Sequence, residues 1–246
     1  MRIRGLALRR RVLDGRAYAV VDRPPTTLEL ASAGDSIHIV DSDPPISSLT
    51  LLHPIYSRIR HLTVTDAGVL DISGLRSMCE LVDLDLWPNY RARGRVEIEL
   101  LPRIETLAAP RKLVSPIRKT HGLRELLLEG PGDLKQSEVD MLDSLESLRL
   151  TSVAPPTRFP VALRSLSLHG LRWSRTGQFV GIDNLQRLEV SGIGDLPDLS
   201  SFQAARRLRE LIIEDCPDLH SLGEIRLPDD CVISMIGNTP LRKSGG

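Results

Sequence analysis

The chain has 246 residues, 41% apolar and 26% charged, which is the composition of a folded domain and not of a disordered one. Its 32 basic and 32 acidic side chains cancel, so no bulk field favours nucleic acid or an anionic membrane, and 3% aromatics leave few rings for stacking bases. No apolar run approaches the roughly 18 residues of a membrane span, and three cysteines (Cys79, Cys216, Cys231) cannot build a dense disulfide framework, which fits a reducing, cytoplasmic setting.

The first stretch, "MRIRGLALRRRVLDGR", carries six arginines in sixteen residues without the apolar core of a secretory signal. An organelle transit peptide is one reading; a basic segment capping a folded domain is the preferred one. "RAYAVV" and "TTLELA" are predicted as two strands joined through "DRPPT", so that residues 1–58 form an N-terminal cap. Within it, "GDSIHIVDS" (34–42) reads as a degenerate first repeat, because Ile37 and Ile39 fall about one period before Leu62 and Val64.

From residue 59 the pattern L-x-x-L-x-L recurs. The clear copies are "LVDLDL" from Leu81, "LRELLL" from Leu123, "LESLRL" from Leu145, "LRSLSL" from Leu163, "LQRLEV" from Leu185 and "LRELII" from Leu208. Weaker copies are "IRHLTV" from Ile59, "IETLAA" from Ile104 and "DCVISM" from Asp230. Successive starts lie 22, 23, 19, 22, 18, 22, 23 and 22 residues apart, a rhythm that marks a repeat array over 59–241 with a tail at 242–246. Each L-x-L predicts a short strand with alternate side chains inward. One such strand cannot bury its apolar edge alone, whereas parallel copies stacked about 4.8 Å apart make a continuous Leu/Ile/Val ladder. About a dozen residues remain per repeat for the return path. That length, with its frequent prolines (Pro102, Pro131, Pro155, Pro156, Pro197, Pro217, Pro228), predicts extended or 3₁₀ segments and not full helices.

These copies resemble the leucine-rich repeat family. The resemblance implies an α/β solenoid with a curved parallel sheet on its concave face and a mostly irregular or 3₁₀ convex side. It also implies that positions three, five and seven of L-x-x-L-x-L-x point out of the sheet as the ligand-binding surface. The residues so placed include Asp83, Asp85 and Trp87, then Glu125, Glu129, Arg149, His169, Arg187, Glu189, Glu210, Ile212 and Glu214. These twelve are the expected partner-binding set. Trp87 is read either as a partner anchor or as packing on a neighbouring strand. The later columns are mostly acidic, interrupted by Arg149 and Arg187, which points to either a solvated face or a docking surface for a basic protein segment.

No catalytic constellation emerges. His61 beside Asp83, and Ser167 two residues from His169, lack a third group and an oxyanion donor, and no phosphate-cradling glycine loop is present. Cys216 falls at position nine, where the family usually keeps Asn and where Cys is a familiar substitute. "CPDLHSL" also resembles the phrasing of plant immune-receptor repeats. Cys216, His220 and Cys231 supply three zinc ligands at most and no paired CxxC, so no metal and no cofactor is expected, and His220 should face solvent. The expected function is non-catalytic recognition of a protein partner, as sensor, adaptor, effector or inhibitor, with no nucleic acid and no membrane. Two alternatives stand beside it: a GTPase-activating type of regulator using Arg91, Arg93 or Arg95, and a ligand-sensing fragment of a larger receptor.

Overall fold

The computed structural model describes residues 9–13, 15–40, 46–65, 68, 70–86, 92–120, 122–173, 177–237 and 239–240. The predicted tail at 242–246 and the candidate residue Trp87 lie outside these residues. The fold is α/β, with mostly parallel strands and few, short helices. The chain forms two compact units, residues 1–122 and 123–246.

The first unit begins with an antiparallel pair, β1 (Arg9–Leu13) and β2 (Arg16–Val21). A short helix α1 (Thr27–Ala31) follows, then β3 (Ser36–Ile39), β4 (His61–Val64), β5 (Asp83–Asp85) and β6 (Thr106–Pro110), all parallel from β2 onward. The expectation of a strand over "TTLELA" is wrong. Thr26 is an N-cap, and its Oγ1 accepts from the Glu29 amide at 3.3 Å while the Thr26 amide donates to Glu29 Oε2 at 2.8 Å. This reciprocal capping box satisfies amides that a helix start leaves orphaned, and it outweighs the alternation that suggested a strand. Arg58 closes the other end, donating from Nη2 to the Leu30 carbonyl at 3.1 Å.

Within the segment 34–42, Ser36–Ile39 joins the sheet in the spacing of a repeat: Ile37 pairs with Leu62 and Ile39 with Val64. The return segments contain the 3₁₀ turns Leu49–Arg58, Ser73–Ser77, Ile98–Leu100 and Arg111–Leu113. The longest of these carries Pro54, which the absence of a long α-ladder makes tolerable.

The second unit holds β7 (Glu125–Asp133), the single-turn helix α2 (Gln136–Val139), β8 (Ser147–Ala154), β9 (Ser165–His169), β10 (Arg187–Ser191), β11 (Glu210–Glu214) and β12 (Val232–Ile236). Its strands are all parallel, each paired with the next in sequence. The periodic leucines form the core. Leu126, Leu148, Leu166, Leu188 and Leu211 make one buried row, and Leu128, Leu150, Leu168, Val190 and Ile213 the next.

Strands β8 to β11 are entered in the same way. Two consecutive amides donate to one carbonyl of the preceding repeat: Glu146 and Ser147 to Arg124, Arg164 and Ser165 to Glu146, Gln186 and Arg187 to Arg164, Arg209 and Glu210 to Gln186. The first unit does likewise, with Val82 and Asp83 on Arg60 and Glu105 and Thr106 on Val82.

The second unit also repeats a backbone step at position eight. That residue takes positive φ in all six copies: Gly130, Ser152, Gly170, Gly192, Asp215 and Gly237. In β9 to β12 this left-handed step ends the strand, whereas β7 and β8 run on past it, and position nine turns to the interior at Val153, Leu171, Ile193 and Cys216. Behind the sheet, all three phenylalanines of the chain (Phe159, Phe179 and Phe202) pack together, with ring centroids 5.0 to 5.2 Å apart along the chain of contacts. Trp173 joins that cluster, 5.8 Å from Phe179 and 5.9 Å from Phe202, so its indole serves packing.

Candidate functional site

Pairing register puts the predicted columns on one sheet face in each unit. In the second unit, position three runs Glu125, Ser147, Ser165, Arg187, Glu210, Val232; position five runs Leu127, Arg149, Ser167, Glu189, Ile212, Ser234; position seven runs Glu129, Thr151, His169, Ser191, Glu214, Ile236. Columns form because parallel strands in register place every second side chain on the same face, one strand spacing of about 4.8 Å apart. β7 and β8 are longer than the pattern predicts, and a register shift between Glu129 and Gly132 ends the regular part of their pairing just past the seventh position.

The polar face of this unit is organised around Glu189. Its carboxylate accepts from Ser167 Oγ at 3.2 Å and from Arg187 Nη2 at 3.4 Å, and its Oε1 lies 3.5 Å from His169 Nε2. Arg187 also pairs with Glu210, so that cation is committed within the face. Ser191 Oγ donates to Glu214 Oε2 at 2.9 Å. Glu125 and Arg149 stand exposed, and Ile212 is half-buried between Glu210 and Glu214.

Two polar atoms of the seventh column, Glu129 Oε2 and His169 Nε2, are shielded from solvent and make no hydrogen bond. Burial pushes the His169 pKa below the ordinary imidazole value, against the pull of Glu189, and Arg149 pushes the same way as burial. His169 is therefore neutral at ordinary pH. In the three columns of this face, five carboxylates (Glu125, Glu129, Glu189, Glu210, Glu214) accompany two guanidinium groups (Arg149, Arg187), one of which is already paired twice. The net field over the face is negative.

In the first unit, the third column runs Ser36, His61, Asp83, Thr106 and the fifth His38, Thr63, Asp85, Ala108. Asp83 is not left open to a partner. Arg16 of β2 donates to its Oδ2 at 2.9 Å and to His61 Nδ1 at 2.7 Å, while His61 Nδ1 lies 3.8 Å from the same carboxylate oxygen. A guanidinium only donates, so His61 Nδ1 accepts and the ring is neutral. Burial first, then Arg16, lowers its pKa accordingly.

Arg16 is not among the residues predicted from the sequence, because a cap is expected to cover the array and not to add a side chain to its face. Nor is His38, which is 3% exposed, T-stacked on Tyr18 at 6.3 Å and held through Nε2 to Thr65 Oγ1 at 3.1 Å. The signal for both lay in "RAYAVV" and "SIHIV", whose alternation extends the columns two strands upstream. Arg93 and Arg95 are exposed, whereas Arg91 lies outside the described residues.

The cysteine question resolves by packing. Cys216 is fully buried in the position-nine row, its Sγ 3.4 Å from the Glu214 carbonyl and 3.7 Å from that of Val190. Burial raises its pKa, which favours the thiol over the thiolate. His220 is exposed, and among the described residues no three His, Cys, Asp or Glu side chains gather in a way that could hold a metal ion. Among the same residues no helix is long and apolar enough to cross a membrane. The chain matches no protein-family model and no curated protein.

Proposed function

We propose that the chain is a leucine-rich repeat protein that recognises a protein partner through the outward face of its parallel sheet, without catalysis of its own. The support for the family reading is the repeat rhythm together with two recurring backbone devices. These are the paired amides that enter β5, β6 and β8 to β11, and the left-handed residue at position eight of every repeat in the second unit. Both depend on backbone geometry that a chance run of leucines would not reproduce.

The observation that carries the binding reading is the face of the second unit. Its columns present acidic, hydroxyl and half-buried aliphatic side chains on rigid strands, with the Glu129 and His169 atoms shielded and unpaired. Shielded polar atoms without partners cost free energy in the unbound chain, and a partner's polar groups that reach them recover it. The excess of carboxylates selects a basic segment, because like charges would be repelled and opposite ones steered in.

The test is affinity capture from the native cell with mass spectrometry, run in parallel with wild type and a Glu210→Lys/Glu214→Lys variant. A partner retained by wild type and lost by the variant, at equal melting temperature, is the expected result. A partner set identical for both proteins would overturn the assignment of this face.

A further inference from the structure

The ladder that buries every earlier repeat stops uncovered at β12. Leu211 and Ile213 of β11 are fully buried, whereas on β12 Ile233 is 43% and Met235 52% exposed, and on the opposite face Val232 is 62% and Ile236 51% exposed. The strand carries no charge. It therefore lacks the charged side chains that discourage pairing at an edge strand.

The backbone of β12 is half used. The Val232 amide donates to the Arg209 carbonyl at 2.8 Å, and the Ile236 carbonyl accepts from Asp215 at 3.1 Å, so positions 232 and 236 turn their peptide groups toward β11. Alternation then turns the N–H and C=O of Ile233 and Met235 outward. The sequence of the strand, Val-Ile-Ser-Met-Ile, is nearly palindromic about Ser234. If a second copy runs antiparallel with Ser234 opposite Ser234, Ile233 meets Met235 in both directions, and these are the residues with free peptide groups. Val232 then meets Ile236 on the other face, and no register one residue away keeps both matches.

We infer that β12 is the seam of a two-fold homodimer, the two strands pairing edge to edge about Ser234. The pairing is isologous, each copy offering the same patch. A five-residue seam is smaller than the roughly 800 Å² per partner of a standard interface, so the dimer forms in a concentration-dependent way and not as an obligate one.

The experiment is sedimentation velocity on the full chain from low to high micromolar concentration, with hydrogen exchange of the Ile233 and Met235 amides at both ends of the range. Wild type should shift from monomer to dimer, and those two amides should slow as it does. Ile233→Lys/Met235→Lys should stay monomeric at every concentration. Because such a variant could also disturb β12 itself, Ile233→Pro is the second variant. It removes only an outward N–H that no strand of the chain uses, and it should give a monomer with the melting temperature of wild type. A wild type that stays monomeric, or a dimer that survives both variants, overturns the proposal. Neither outcome bears on the acidic face, which lies on β7 to β11.

Discussion

Gly192 leaves β10 at φ +59°, Gly170 leaves β9 at +58°, and Gly130 takes +89° at the same repeat position inside the longer β7. An L side chain in that region costs roughly 1–2 kcal/mol, which Asn and Asp tolerate better than Ala. Gly192→Ala should therefore lower unfolding free energy in denaturant by about that amount, and Gly192→Asn by visibly less. Equal losses for the two would show that the turn is not selecting for left-handed backbone. This row was readable in the sequence as Gly, Ser, Gly, Gly, Asp, Gly at position eight. The backbone signal therefore lies at position eight, one residue before the Asn slot of the family pattern. At position nine, Cys216 behaves as a small buried side chain. In the native protein a thiol reagent should label exposed Cys79 promptly and reach Cys216 only on unfolding, and a chelator should leave the melting temperature unchanged. Prompt labelling of Cys216 would contradict its burial.

At the scale of elements, the repeat strands were legible because two periodicities coincide: alternation within the strand and a spacing of about 22 residues between strands. Ladder and face positions should respond oppositely to substitution. Leu211→Ala opens a cavity in a fully buried row and should cost about 2–5 kcal/mol. The adjacent Ile212→Ser should cost far less while weakening partner capture.

The element misread was α1, where "TTLELA" alternates like a strand but hides a Thr-x-x-Glu capping box. Thr26→Ala should cost about 1 kcal/mol through the lost cap. Glu29 sharpens this. Hydrogen bonds from Arg23 first, then from the Thr26 amide, hold its carboxyl down at about 2, against an ordinary 4.5. A depressed folded-state value means that the stabilisation is complete above the ordinary pKa and is lost as pH falls from about 4.5 toward 2. Acid denaturation of Glu29→Gln should lack that component, seen as a shallower stability slope across this window than wild type. Parallel slopes would place the carboxylate outside the stability balance.

At the scale of the molecule, the positions of the candidate site were legible and their chemical state was not. Parallel register carried Glu125 through Glu214 to one face of the second unit, and Asp83 and Asp85 to the corresponding face of the first. Sequence could not tell that Arg187 is consumed by Glu189 and Glu210, or that Asp83 is held by Arg16 from a strand 67 residues earlier, because those pairings depend on which strands become neighbours. Nor could it distinguish a carboxylate with a partner, such as Glu214 on Ser191, from the shielded and unpaired oxygen of Glu129.

The most direct test of the recognition face is carboxyl footprinting of the chain alone and with its captured partner, by carbodiimide labelling and mass spectrometry. The account predicts that Glu125, Glu189, Glu210 and Glu214 lose reactivity on binding, while exposed Asp143, Asp183 and Glu224, outside the columns, label as before. Protection of the latter three with the face still reactive would contradict it.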